Sequence, residues 1–230
     1  MKDIFRINFS GVWEDFPAAS SIDLSDMGGT SCYCDAESAA TIRSALKEAG
    51  PKPPICLLDS GDYHYLSFFL MEEIPAPFEL MLFDNHPDDQ PGAFGEELLS
   101  CGGWVASARK HIPSLRSTVW VDGRGGIHGK TDTALPVYLS VDLDILSPEY
   151  ALTDWDQGTL SLGELCSAIS ESIEGRVIAG ADICGGISKE KGGTPSDSAL
   201  NIAAALKLAD VITARPELLR GRSAAGRRQG

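Results

Sequence analysis

Positive charge is what this sequence has least of. Its 230 residues hold 19 lysines and arginines against 33 aspartates and glutamates, a formal net charge of -14. Binding to phosphate backbones needs the opposite balance, so nucleic-acid recognition is excluded as the main activity. Long apolar runs are missing too: no window approaches the eighteen or so consecutive apolar residues of a membrane span. The N-terminus, Met1 to Phe9, alternates like a first or edge strand and lacks the apolar stretch of a signal peptide. These absences predict a soluble, cytoplasmic protein with neither a nucleic-acid nor a membrane partner. Paired cysteine spacings are absent as well. Cys32, Cys34, Cys56, Cys101, Cys166 and Cys184 are scattered and read as reduced thiols. Cys32-Tyr33-Cys34 is too tightly spaced for an ordinary zinc pair and reads as a surface turn, with a loop near the site as the alternative.

What is present is enough apolar residue, 43% of the chain, for one sizeable core. Residues 1–214 are expected to form a single domain. Residues 215–230, with Arg215, Arg220, Arg222, Arg227 and Arg228 among Gly, Ser and Ala, read as a disordered, solvated tail. Buried strands are expected over 54–58, 78–83, 118–121, 135–139 and 176–181. Helices are expected over 36–47, 64–73, 97–111, 162–173 and 195–214, the last capped by Thr194 with Pro195 in its first turn. Such alternation predicts an α/β fold: a three-layer α/β/α sandwich around a mostly parallel sheet. The segment from Arg124 to Thr131 nearly spells a phosphate-binding loop. Asp132, Thr133 and Pro136 leave no room for the helix such a loop needs, so it reads as a hairpin with His128 at the surface. His111 is expected to sit favourably at a helix C-terminus.

Three stretches carry chemistry. They are Gly61-Asp62-Tyr63-His64, Asp84-Asn85-His86-Pro87-Asp88 and Ser140-Val141-Asp142-Leu143-Asp144, each following or closing an apolar run. If the preceding strands are parallel neighbours, these side chains emerge at the carboxyl edge of one sheet, where open α/β folds hold their ligands. Extended backbone puts residues i and i+2 on one face, so Asp84, His86 and Asp88 would share a cavity, as would Asp142 and Asp144. Singly, these residues say little, since a histidine is often a core residue and an aspartate often a cap. Together they bring several carboxylates close, an arrangement that repels itself unless cations are held. His64, Asp84, His86, Asp88, Asp142 and Asp144 form an oxygen-rich set with no thiolate. It suits two Mn²⁺ ions, with Fe²⁺, Co²⁺ or Zn²⁺ as alternatives.

These stretches resemble the signatures of the arginase, or ureohydrolase, superfamily. Ser60 to His64 resembles its Gly-Gly-Asp-His turn with one residue more, residues 84–88 its Asp-Ala-His-x-Asp signature, and residues 140–144 its Ser-x-Asp-x-Asp signature. Asp156 to Ser161 is similar to its later Gly-Thr segment. The resemblance implies that Asp84 and Asp142 bridge the ions, with His64 and Asp88 completing one shell and His86 and Asp144 the other. A water between the ions would lose a proton and attack a trigonal carbon of a small-molecule substrate, cleaving a non-peptide C–N bond. Asp88 counts among the candidate catalytic residues as well as the ligands. Asp182, ending a strand beside the site, is a candidate for orienting ligands, with a turn-forming role as the alternative. Assembly into a homo-oligomer stays open.

Three departures bear on the substrate. No Glu follows Asp182 in Ala181 to Gly186, where family members that cleave guanidines hold the guanidinium. Cys101-Gly102 stands where arginases carry a proton-shuttling His-Gly pair, so Cys101 is a candidate for proton transfer or a buried structural thiol. The segment between Asp88 and Asp142 is short for the family. The leading expectation is therefore a hydrolase of a small linear amide or amidine. The alternatives are a deacetylase-like amidohydrolase with one zinc, and a non-catalytic metal-binding or regulatory protein.

Overall fold

The computed structural model describes residues 4–18, 20–91 and 98–214. The first three residues of the expected N-terminal strand, Glu97 at the head of an expected helix, and the expected tail 215–230 lie outside the described residues. The chain runs β1 (Ile4–Asn8), β2 (Ser20–Asp23), β3 (Tyr33–Cys34), α1 (Ala36–Glu48), β4 (Ile55–Leu57), α2 (Leu66–Glu72), β5 (Phe78–Phe83) and β6 (Leu99–Ser100). It continues with α3 (Trp104–His111), β7 (Leu115–Val121), β8 (Ile127–His128), β9 (Val137–Asp142), α4 (Leu162–Ser172), β10 (Ile178–Cys184) and α5 (Pro195–Thr213).

Eight strands form one sheet in the order β2-β1-β4-β10-β9-β5-β7-β8, parallel except for β8, which closes a hairpin on β7. Alternate side chains of the central strands enter two separate cores. Ile55, Leu57, Met81, Phe83, Leu139 and Val141 pack beneath α4 and α5. Cys56, Phe78, Leu80, Leu82 and Tyr138 pack beneath α1, α2 and α3. Every residue of β5 and β9 is buried, as parallel strands covered on both faces require. The expected three-layer α/β/α arrangement is the one observed.

Caps fix where the helices begin. Asp35 accepts from Ser38 N at the start of α1, and Ser161 with Glu164, then Thr194 with Asp197, form reciprocal capping boxes on α4 and α5. At the amino end of β5 one charge is fully buried: Glu79 lies 2.9 Å from Arg176 Nη1 and accepts from Ser117 Oγ and Asp132 N.

Four differences from the sequence reading shape the site. β10 lies between β4 and β9, so the strand before His64 is parallel to β9 but not its neighbour. β10 also runs through Asp182 to Cys184, placing Asp182 inside the strand where both sheet faces bury it. His64 closes a 3₁₀ turn, Gly61–Tyr63, and the helix begins only at Leu66. Residues 99–103 enter β6 and a 3₁₀ turn, so α3 starts at Trp104. Two short strands escaped pattern reading: β2 has Ile22 as its one aliphatic residue, and the two-residue β3 is too brief to alternate.

Candidate metal centre

The carboxyl ends of β4, β5 and β9 converge, and turn chemistry then aims the side chains. Chain extension is not what brings Asp84, His86 and Asp88 together. β5 stops at Phe83, Asp84 Oδ1 accepts from His86 N at 2.7 Å, and Asp88 sits at a left-handed φ of 47°. Likewise Asp142 ends β9 and caps the next turn, its Oδ1 accepting from Asp144 N at 2.9 Å. The expected facing of i and i+2 holds, but compact Asx turns produce it instead of extended backbone. Asp88 keeps its unusual backbone through two anchors: its carbonyl accepts from Val105 N, and its Oδ2 accepts from Trp104 Nε1 at 2.7 Å.

All six expected ligands meet. His64 Nδ1 lies 3.1 Å from Asp84 Oδ2, 3.2 Å from Asp88 Oδ2 and 3.4 Å from Asp142 Oδ2. His86 Nδ1 lies 2.8 Å from Asp144 Oδ2 and 3.6 Å from Asp84 Oδ1. Two donor groups, His64 with Asp84 and Asp88, and Asp84 with His86 and Asp144, therefore share Asp84. A third joins His64 and Asp142 with Cys184, whose thiol donates to the carbonyls of Asp59 and Ser60.

The electrostatics test whether cations fit. Burial, then repulsion from Asp144 and Asp84, raises the Asp142 carboxyl well above its ordinary value. Burial and Asp84 raise Asp144 to about 7. Hydrogen bonds donated to Asp144 and Asp84 raise His86 to about 11. Burial alone would lower His64, yet Asp84 and Asp88 outweigh it and raise the imidazole well above its ordinary value. A metal-free cluster thus retains protons where divalent ions would sit, and four carboxylates balance two such ions.

Behind His64 runs a hydrogen-bonded chain. Asp182, fully buried, accepts from Tyr138 OH at 2.5 Å and from Ser140 Oγ at 2.7 Å. Because Ser140 spends its proton on Asp182, its oxygen accepts from His64 Nε2–H at 2.9 Å. With Nε2–H committed to Ser140, Nδ1 is the ring nitrogen that faces the carboxylates. Ser67 Oγ, 3.2 Å from Ser140 Oγ, completes this buried group. The serine of Ser-x-Asp-x-Asp was the sequence signal for this chain; Tyr138 gave none.

The cluster lines a cavity of about 50 Å³ together with Gly61, Gln90, Cys101, Gly102 and Trp155. Gln90 and Trp155 are site residues that sequence reasoning missed. Trp155 stands edge-on to His86, ring centres 6.0 Å apart, and donates Nε1–H to Asp62 Oδ1 at 3.1 Å. Asp62 also accepts from Ser31 Oγ and Lys191 Nζ, and Lys191 reaches Asp154 at 2.7 Å. A Cβ at position 61 would lie 2.6 Å from Trp155 Cδ1, so only glycine lets the indole pack there. Cys101 is buried on the pocket wall, and burial pushes its thiol far above its ordinary range. Cys32 is no free surface turn: its N–H donates to the Asp62 carbonyl, and its own carbonyl accepts from Cys101 N. Asp156 to Thr159 buttresses the last ligand turn, with Gly158 N donating to the Asp144 carbonyl at 2.7 Å. His128 is exposed as expected, stacked on Trp120 and paired with Asp122.

An open parallel sheet with paired imidazole and carboxylate clusters at its carboxyl edge defines an α/β protein with a candidate binuclear metal site. Comparison with solved structures then shows which α/β fold this is: that of the arginases and ureohydrolases. An arginase of Medicago truncatula superposes with a TM-score of 0.60 at 17% identity, over 91% of this chain and 86% of that one. An agmatine ureohydrolase of Thermoplasma volcanium gives 0.59 at 16% identity, over 94% and 90%. Proclavaminate amidino hydrolase of Streptomyces clavuligerus gives 0.58 at 17%, over 92% of each. By sequence, an uncharacterised protein of Thermotoga maritima is 35% identical over 145 residues, and the match spans 57% of each chain. No family model matches the chain.

Proposed function

We propose that this chain, with residues 1–214 as one domain, is a metal-dependent hydrolase of a non-peptide C–N bond in a small linear amide or amidine. The observation that carries it is the approach of His64 Nδ1 to within 3.4 Å of three carboxylates from two different strand ends. Superposition on amidino hydrolases and ureohydrolases supports the same reading. His64, Asp84, Asp88 and Asp142 would hold one ion and Asp84, Asp142, His86 and Asp144 the other, with manganese favoured by the hard oxygen donors. Such a pair supplies a water of lowered pKa and charge to stabilise a developing anion.

The chain's own residues do the rest. Asp182, through Ser140, fixes the tautomer and orientation of His64. Asp88 lines the pocket and, at 7% exposure, is the most accessible of the four carboxylates; it would take a proton and return it to the leaving nitrogen. Trp155 offers an aromatic edge and face against which a planar amide or amidine can lie. Cys101 lines the wall as a neutral thiol. Gly185, near the position expected for a guanidinium-binding Glu, has φ 102°, and a Cβ there would meet Asp142 Oδ1 at 2.6 Å. A longer side chain at this point would displace a metal ligand, so a guanidino substrate is disfavoured.

Elemental analysis of the manganese-loaded protein should give two ions per chain. Release of ammonia, urea or amine from a panel of small amides, amidines and guanidines should vanish in Asp142→Ala. One ion per chain would favour the deacetylase-like reading. Two ions with no turnover anywhere in the panel would favour a non-catalytic role.

A further inference from the structure

We propose that Cys32 and Cys101 are a thiol–disulfide exchange site beside the candidate metal pocket, closed into a disulfide by a small-molecule disulfide such as oxidised glutathione. The inference does not depend on the proposed hydrolase activity. β3 and β6 pair antiparallel with Tyr33 opposite Ser100 and Cys34 opposite Leu99. Cys32 and Cys101 are the next residues beyond that ladder, and Cys101 N donates to the Cys32 carbonyl at 2.9 Å. Opposed residues of an antiparallel pair have Cα atoms about 4.5–5.5 Å apart. A disulfide spans about 4.4–6.8 Å. Each thiol also perturbs the other's proton affinity, as groups in close approach do.

The backbone holds this geometry. Cys32 adopts a left-handed φ of 62°, rare for a residue with a side chain. Its N–H is tied to the Asp62 carbonyl, while Ser31 Oγ is tied to the Asp62 carboxylate. Both cysteines are therefore anchored to the turns that wall the pocket. Cys34, Cys56 and Cys184 are buried, and half-buried Cys166 packs on the opposite face of the sheet.

Accessibility sets the order of events. The half-buried Cys32 thiolate attacks one sulfur of the small disulfide, forming a mixed disulfide and releasing one thiol. Cys101, 7% exposed, then attacks Sγ of Cys32, forming the Cys32–Cys101 bond and releasing the second thiol. The two cysteines lose two electrons and two protons, and the small disulfide is reduced to two thiols. Burial keeps both thiols largely protonated, so exchange is slow and calls for excess oxidant. The bond would tie residues 31–34 to the 101–103 turn.

The test is non-reducing peptide mapping of the folded full chain after incubation with excess oxidised glutathione. The expected product is a Cys32–Cys101 cross-link with the loss of two hydrogens, reversed by dithiothreitol. Cys101→Ser should halt at a stable glutathione adduct on Cys32, whereas Cys32→Ser should leave position 101 unmodified. Cys166 should take an adduct without cross-linking in every variant. If Cys101→Ser fails to fold, Cys101→Ala gives the same readout. The proposal is overturned if the wild type carries a lasting adduct on Cys32 beside a free Cys101, if Cys32 bonds Cys34, or if both thiols stay unmodified while Cys166 reacts fully.

Discussion

Ser140→Ala removes one oxygen and should weaken metal binding from a position no ligand atom occupies. In the native chain that oxygen accepts from His64 Nε2 at 2.9 Å while its hydroxyl donates to Asp182 at 2.7 Å. All three groups are buried, so no water replaces it. The variant leaves the imidazole N–H without a partner and deprives Asp182 of one of its donors. An orphaned buried polar group costs about 1–3 kcal/mol. Removing the hydrogen-bond partner of a ligating histidine typically lowers metal affinity about 10–100-fold, and a factor of ten is about 1.4 kcal/mol. The two routes agree, so a loss of roughly 10–100-fold is expected, confined to the ion held by His64. Titration of manganese by paramagnetic resonance resolves the two sites, and calorimetry of the metal-free protein measures the loss in stability. Tyr138→Phe is the control: it also strips a donor from Asp182 but leaves the Ser140 bond to His64, so stability should fall while affinity changes little. Equal metal affinity in Ser140→Ala and the wild type would refute the tautomer argument. So would an equal loss in Tyr138→Phe.

Three other outcomes are expected. Asp84→Ala and Asp142→Ala should each strip both ions by elemental analysis, whereas His64→Ala should mainly weaken one; identical losses in all three would contradict shared ligation. Metal uptake should strengthen with rising pH, because His86, raised to about 11 in the metal-free protein, must give up its proton to bind. Affinity should fall about tenfold per unit of acidification for each proton displaced, and a pH-independent titration between 6 and 8 would contradict this. Glu79→Ala should destabilise the fold by about 3–5 kcal/mol in urea melts by leaving Arg176 buried and unpaired, and a change below about 1 kcal/mol would show the pair to be dispensable.

Much of the site is legible in the sequence. Asp84, His86, Asp88, Asp142 and Asp144 each lie within five residues of an apolar run, and such runs become buried parallel strands. Residue type and strand-end position alone therefore fixed which side chains would meet, at which edge, and with what charge. The α/β layering followed from the same alternation. Local chemistry was misjudged where turns took over from extension, at Asp88 with its left-handed backbone and at His64 on a 3₁₀ turn.

The tertiary structure alone decided what surrounds the cluster. Insertion of β10 between β4 and β9 is a matter of strand order, which local patterns do not encode, and it brings Asp182 behind Ser140 and Gly185 against Asp142. Trp155 reaches the pocket because position 61 is glycine, and Cys101 meets Cys32 because two brief strands pair across 69 residues of chain, the difference between their numbers. Sequence determines periodic burial and residue chemistry through nearest-neighbour stereochemistry. Contacts between distant segments depend on how whole layers pack, and these set the pocket's walls and the hydrogen-bond network behind the ligands.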